Sequence, residues 1–143
     1  MFTIDANIFV RNIDNRDPEH PLCHALLEAV HTQRIPLICP IILLPEVAGA
    51  VRRTWQDAMR GRLAAQIIGE LPHISLIDID AILAQEAADL AADYALRGMD
   101  ALYVAVARRY ACALVTLDDE PRRRAGSVVT VLTPVEALAQ IRA

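Results

Sequence analysis

At 143 residues, with 55% hydrophobic residues and a formal net charge of −4, the chain suits one domain with a substantial core and is too apolar to be disordered. The acidic balance argues against a general nucleic-acid binder, and a mean hydropathy of +0.30 leaves apolar surface for a partner. No basic leader precedes the oily run MFTIDANIFV, which Asp5 interrupts, so neither a signal peptide nor a membrane span is expected and a cytoplasmic location follows.

In chain order, the run FTI before Asp5 is a short β-forming stretch, and a helical stretch follows around Pro21 to Thr32. Ile35 to Cys39 (IPLIC) predicts a second strand, and Leu43 to Trp55 a helix in which Pro45 is tolerated only near the start, placing Glu46 in an early turn. A further helix is predicted over Gln56 to Glu70, a strand over Ile74 to Ile79 (ISLIDI), and an Ala-rich helix to about Leu96. Gly98 is expected to end that segment, and the next helix, RGMDALYVAVARRY, is apolar on most of its circumference, as a buried helix is. Cys112 to Leu117 (CALVTL) and Ser127 to Leu132 (SVVTVL) predict the last two strands, after which Thr133, Pro134 and Glu136 spell a capping box with Pro at the first helical position. Strands alternating with helices imply a three-layer α/β/α sandwich around a central, mainly parallel five-stranded sheet, and the absence of a linker or repeat implies a single domain over 1–143.

Cys23, Cys39 and Cys112 are odd in number and lack metal-binding spacing, so they read as buried free thiols. All fourteen basic residues are Arg, several of them grouped, as in Arg52–Arg53, Arg108–Arg109 and Arg122–Arg124. Such groups are either solvated helix faces or guanidinium forks that hold phosphates beside an acidic centre.

The acids decide where chemistry can occur. In an α/β sheet, ligands bind beyond the carboxyl ends of the strands. Asp5 ends the first strand, Glu46 lies early in the helix after the second, and Asp118 ends LVTLD. Asp100 opens its helix, where it is either an N-cap or a fourth carboxylate at the same rim. Two carboxylates about 4 Å apart repel by about 4 kcal/mol at an effective dielectric near 20, so four that converge call for a cation. Oxygen ligands without His or Cys suit Mg²⁺ or Mn²⁺, and the chemistry this favours is phosphodiester hydrolysis.

Four blocks, TIDANIFV, LLPEVAGAVRR, GMDALYVAVA and LVTLDDE, resemble the four motifs of the PIN-domain ribonucleases, and their spacing is similar to that of the VapC-type toxins of toxin–antitoxin pairs. The resemblance covers essentially the whole chain, including the closing VLTPVEALAQI. It implies that Asp5, Glu46, Asp100 and Asp118 form the acidic catalytic quartet, with Asp5, Asp100 and Asp118 holding Mg²⁺ or Mn²⁺ for RNA cleavage. It further implies a homodimer checked by a small antitoxin. Thr116 matches a hydroxyl position two before the fourth acid, where it would orient carboxylate or water. Asn7 fills the small polar position two after the first acid, with a turn or cap as its ordinary role. Asp119, followed by Glu120 and Pro121, fits the N-cap of the next helix, which would place Arg122–Arg124 near the substrate.

Other chemistries lack their residues. Phosphoaspartyl enzymes and P-loop NTPases require a Lys, and this chain has none. His20 and His24 have the helical spacing of a metal pair, but Pro21 lies between them and no third soft ligand is evident. No nucleophile-elbow glycines surround Ser75 or Ser127. The competing reading is a PIN-like module that binds RNA or a protein without cutting, against which the complete quartet argues. Trp55 fits either the core or a partner groove.

Overall fold

A computed structural model describes residues 1–143, with five strands and eight helices. Phe2–Ile4 forms β1, Leu37–Pro40 β2, Ile74–Ile77 β3, Ala113–Val115 β4 and Val131–Leu132 β5. All pair in parallel in the order β3-β2-β1-β4-β5, so the sheet is wholly parallel rather than mainly so. Two-residue β5 is shorter than the SVVTVL run suggests, because Ser127 to Val129 turn off α7 before pairing begins.

The helices are α1 (Ala6–Ile13), α2 (His20–Thr32), α3 (Leu43–Trp55), α4 (Ala58–Gly69), α5 (Ala81–Tyr94), α6 (Gly98–Arg109), α7 (Asp119–Ala125) and α8 (Pro134–Arg142). They cover both faces of the sheet. Phe2, Ile4, Val115 and Leu132 face a core shared with α1, α2, α3 and α8, whereas Leu114 and Val131 face a second core shared with α5, α6 and α7. This alternation is the period-two pattern of a strand buried on both sides, and it produces three layers. Helix α6 occupies the middle of the second core, where Ala101 and Tyr103 to Ala107 are all buried, which explains an apolar circumference with only its ends charged.

Two local features depart from the sequence reading. Helix α1 is absent from the sequence reading, because Asn, Ile, Phe and Val are mediocre helix formers; it forms because Asp5 caps it and its own Ile8 and Phe9 are buried. Gly98 does not end α5. That helix stops at Ala95, in the left-handed region at φ 52°, and Gly98 is the first residue of α6. Between α3 and α4 the close approach does require a glycine: a Cβ on Gly61 would lie 2.6 Å from the Ala48 carbonyl oxygen. The closing helix is as expected, with Thr133 and Glu136 forming a reciprocal capping box.

This order places a topological switch point between β1 and β4, since the chain runs outward from β1 to β3 and then resumes on the other side. The register Ile4 to Val115 then sets the residues leaving β1 and β4 side by side.

Candidate active site

Each of the four predicted acids begins a different helix. Asp5 is the N-cap of α1 and Asp118 the N-cap of α7, while Glu46 and Asp100 lie in the first turns of α3 and α6. The positive ends of four helix dipoles therefore point at the acids and offset part of their mutual repulsion. All four line one open cleft beyond the carboxyl ends of β1 and β4, together with Asn7, Arg53 and Arg97.

Asp5 is held most closely. Its Oδ2 accepts from Thr116 Oγ1 at 2.6 Å and from Asn7 Nδ2 at 2.9 Å, while Oδ1 accepts from the Asn7 backbone N–H at 3.4 Å. The Thr116 hydroxyl, only 3% exposed, donates to Asp5 and accepts from the Asp118 backbone N–H and from Asn7 Nδ2, so all its hydrogen-bonding capacity serves the site. Asn7 is thus not a cap. Asp5 caps α1, and the Asn7 side chain ties Asp5 to Thr116 and to the Leu117 backbone.

Glu46 is oriented across the cleft from α6: the hydroxyl of buried Tyr103 donates to its Oε2 at 2.6 Å. Tyr103 lies one turn after Asp100, so the same helix face presents a carboxylate and the residue that positions another. Asp100 accepts no backbone cap bond; the N-cap of α6 is Arg97, and the capping role considered for Asp100 is not the one it performs. Its Oδ2 accepts from Arg97 Nε at 3.0 Å.

At the end of β4 the capping role belongs to Asp118, not Asp119. Asp118 Oδ1 accepts from the Glu120 backbone N–H at 2.9 Å, and Asp119 is an exposed first-turn residue. The Arg122–Arg124 run is split: Arg122 pairs with Glu136, away from the cleft, whereas Arg124 pairs with Glu120 and the Ala95 carbonyl. Arg53 lines the cleft and forms no ion pair.

Glu120, like Arg97 and Tyr103, is a residue that sequence reasoning missed. Asp100, Asp118 and Glu120 offer carboxylate oxygens within 4.8 Å of one another, a cluster able to hold a cation, whereas Asp5 faces the same cleft with its Oδ2 engaged by Thr116 and Asn7. The signal was present in LDDE, because the second residue after an N-cap lies on the first helical turn beside it. His20 and His24 stack at 5.5 Å and bond Arg11 and Asn12 on the surface, with no third ligand gathered around them. All three cysteines are buried free thiols, and burial pushes Cys39 up to about 12.

The all-oxygen donor set fits a hard divalent cation. Burial holds the carboxyls of Asp5, Glu46 and Asp100 above their ordinary values, and the charges of neighbouring acids add to the effect. An acid raised in this way contributes stability below its ordinary pKa and loses it as pH rises through the raised one. Asp100→Asn should therefore be at least as stable as wild type in EDTA at pH 7.5, with its relative advantage shrinking as pH falls toward about 4. Urea unfolding of both proteins across that range checks it; a variant less stable at neutral pH would make Asp100 a structural residue.

The sequence model of the PIN domain matches residues 2–127. No curated protein matches the chain significantly. Among solved structures, VapC20 of Mycobacterium tuberculosis, described as a sarcin–ricin-loop-cleaving toxin, is similar at TM-score 0.75 and 18% identity, covering 92% of this chain and 98% of its own. FitAcB of Neisseria gonorrhoeae is similar at TM-score 0.72 and 16% identity, covering 94% and 99% respectively. VapBC2 of Rickettsia felis, solved with a DNA fragment from its promoter, is similar at TM-score 0.69 and 18% identity, covering 92% and 97%. At these identities the likeness is one of fold.

Proposed function

The chain belongs to the PIN-domain family, and on that premise we propose that residues 1–143 act as one divalent-metal-dependent endoribonuclease domain, the toxin of a VapC-type toxin–antitoxin pair. The observation that carries this reading is the convergence of Asp5, Glu46, Asp100 and Asp118, from four helix N-termini, on one cleft at the switch point of the sheet.

Asp5, Asp100 and Asp118 would hold Mg²⁺ or Mn²⁺, with Glu120 close enough to share the ion. A bound divalent cation supplies charge neutralisation at the scissile phosphate and lowers the pKa of water. Thr116 and Asn7 fix the Asp5 carboxylate, so little reorganisation is left for the moment of reaction. Glu46, anchored through Oε2 by Tyr103, has Oε1 to accept a hydrogen bond from the attacking water. Arg53 offers its guanidinium to an RNA phosphate. Attack on phosphorus with departure of the 3′-oxygen leaves 5′-phosphate and 3′-hydroxyl ends.

The partner reading rests on a second surface. Phe9, Ile13, Trp55, Leu63, Ile67 and Leu71 line an apolar groove, in which Ile13, Leu63 and Ile67 are exposed. Trp55 sits at its margin, with Arg16 and Arg60 over its ring at 6.0 and 5.9 Å. This groove suits the apolar face of a small antitoxin, and we place the protein in the cytoplasm as a homodimer. No helix is long and apolar enough to cross a membrane.

Purified protein should cleave RNA with Mn²⁺ or Mg²⁺ and stop when EDTA is added. Full cleavage in EDTA, or none with either metal, would overturn the reading. Expression alone should slow growth, and co-expression of an adjacent small antitoxin gene should restore it.

A further inference from the structure

Arg97 breaks two local rules at once. It is the N-cap of α6, where a side-chain oxygen ordinarily accepts backbone N–H bonds, and a guanidinium has only donors. It is also a cation at the positive end of a helix dipole. Nothing in the start of α6 calls for it, and its side chain is 64% exposed, free to point into water. It points instead at three carboxylates. Nε lies 3.0 Å from Asp100 Oδ2 and 3.2 Å from Glu120 Oε2, and Nη2 lies 2.5 Å from Asp118 Oδ2. These three residues are the ones whose oxygens gather within 4.8 Å.

The detail at Asp118 is the sharpest. Its Oδ1 is committed to the Glu120 backbone N–H as the cap of α7, so Oδ2 is the oxygen left for a cation, and Arg97 holds it. Residues that break a local rule without serving their own element are found at functional sites.

We propose that Arg97 is a resident competitor for the metal. Its guanidinium and a divalent cation claim the same oxygens of Asp100, Asp118 and Glu120, so Arg97 sets the metal affinity and holds the acids together when metal is scarce. The proposal rests on the metal-dependent reading above. Its ion pairs are exposed and therefore weak, so a divalent ion can displace the long, flexible side chain into solvent. If the guanidinium occupies these oxygens about nine-tenths of the time, the apparent Kd for metal rises about tenfold.

The test is Mn²⁺ binding to wild type and Arg97→Met by isothermal titration calorimetry, with melting temperatures in EDTA and in saturating Mn²⁺. Arg97→Met should bind Mn²⁺ about tenfold more tightly, melt below wild type in EDTA, and match it in saturating Mn²⁺. Arg97→Ser restores a capping oxygen to α6 and should show the same gain in affinity, which carries the test if the Met variant folds poorly. Equal or weaker Mn²⁺ binding by a folded variant, with wild type binding normally, overturns the competitor role alone. Failure of wild type and both variants to bind millimolar Mn²⁺ overturns the metal-dependent reading, and the competitor role with it.

Discussion

Asp5→Asn should lower RNA cleavage about 10²- to 10³-fold while leaving the fold intact, as expected when one preorganised charged group is removed from a reaction centre. Asn is nearly isosteric with Asp, but its single carbonyl oxygen can accept either the cap bond from the Asn7 backbone N–H or the bond from Thr116 Oγ1, not both. The substitution thus removes the charge together with at least one of the hydrogen bonds that hold the carboxylate. Asp100→Asn should lose activity to a similar degree, again without unfolding. Thr116→Val tests the layer behind them: it deletes the hydroxyl that orients Asp5 and accepts from Asp118 N–H, and should cost about 10- to 100-fold, the usual effect of removing a group that orients a ligand. The check is turnover of a defined RNA at saturating Mn²⁺, with circular dichroism confirming the fold. Unchanged turnover in Asp5→Asn would remove that carboxylate from the reaction, whatever its place in the cleft.

That ordering, with carboxylates above the groups that orient them, depends on geometry only partly legible in the sequence. Asp5, Glu46 and Asp118 could be placed at one edge because each follows a recognisable strand in an alternating α/β pattern, and such patterns fix which end of the sheet carries ligands. Asp100 could not be so placed by periodicity, since its helix precedes β4 and only tertiary packing brings its N-terminus to the rim. What decides its position is the burial of Tyr103 to Ala107, which sets α6 across the sheet with its first turn over the cleft. The capping box at Thr133 and the helix start before Pro45 were legible because each depends on neighbours in sequence alone.

Where local signals competed, the reading failed. A glycine after an Ala-rich run is the usual sign of a helix end, yet α5 ends on Ala95 in the left-handed region, and Gly98 instead begins α6. The Arg clusters were ambiguous because a guanidinium reaches far enough that its partner can lie many residues away. Arg109 pairs with Glu86, Arg122 with Glu136, and Arg97 with Asp118 and Glu120. Arg97 is not legible as a site residue for that reason, and Glu120 is marked only by its place on the first turn of α7, two residues after the N-cap.

Those adjacent acids allow the most discriminating comparison. Asp118→Asn should cut turnover by about 10²- to 10³-fold and weaken Mn²⁺ binding, whereas Asp119→Asn should keep most of both. Asp118 both caps α7 through Oδ1 and presents Oδ2 to the carboxylate cluster beside Arg97, so Asn keeps the first function and loses the charge of the second. The fold is therefore preserved, and any loss reports on chemistry. Asp119 is exposed, one residue further on, and successive residues leaving the strand project in different directions. It makes no side-chain hydrogen bond or ion pair that Asn would break, and its remaining influence is a long-range charge, screened within about 8 Å at physiological salt. Turnover of both variants across a range of Mn²⁺ concentrations separates the two positions. If Asp119→Asn is the inactive protein and Asp118→Asn retains turnover, the reaction does not pass through the carboxylates gathered around Arg97, and the centre must be sought on the outer side of α7.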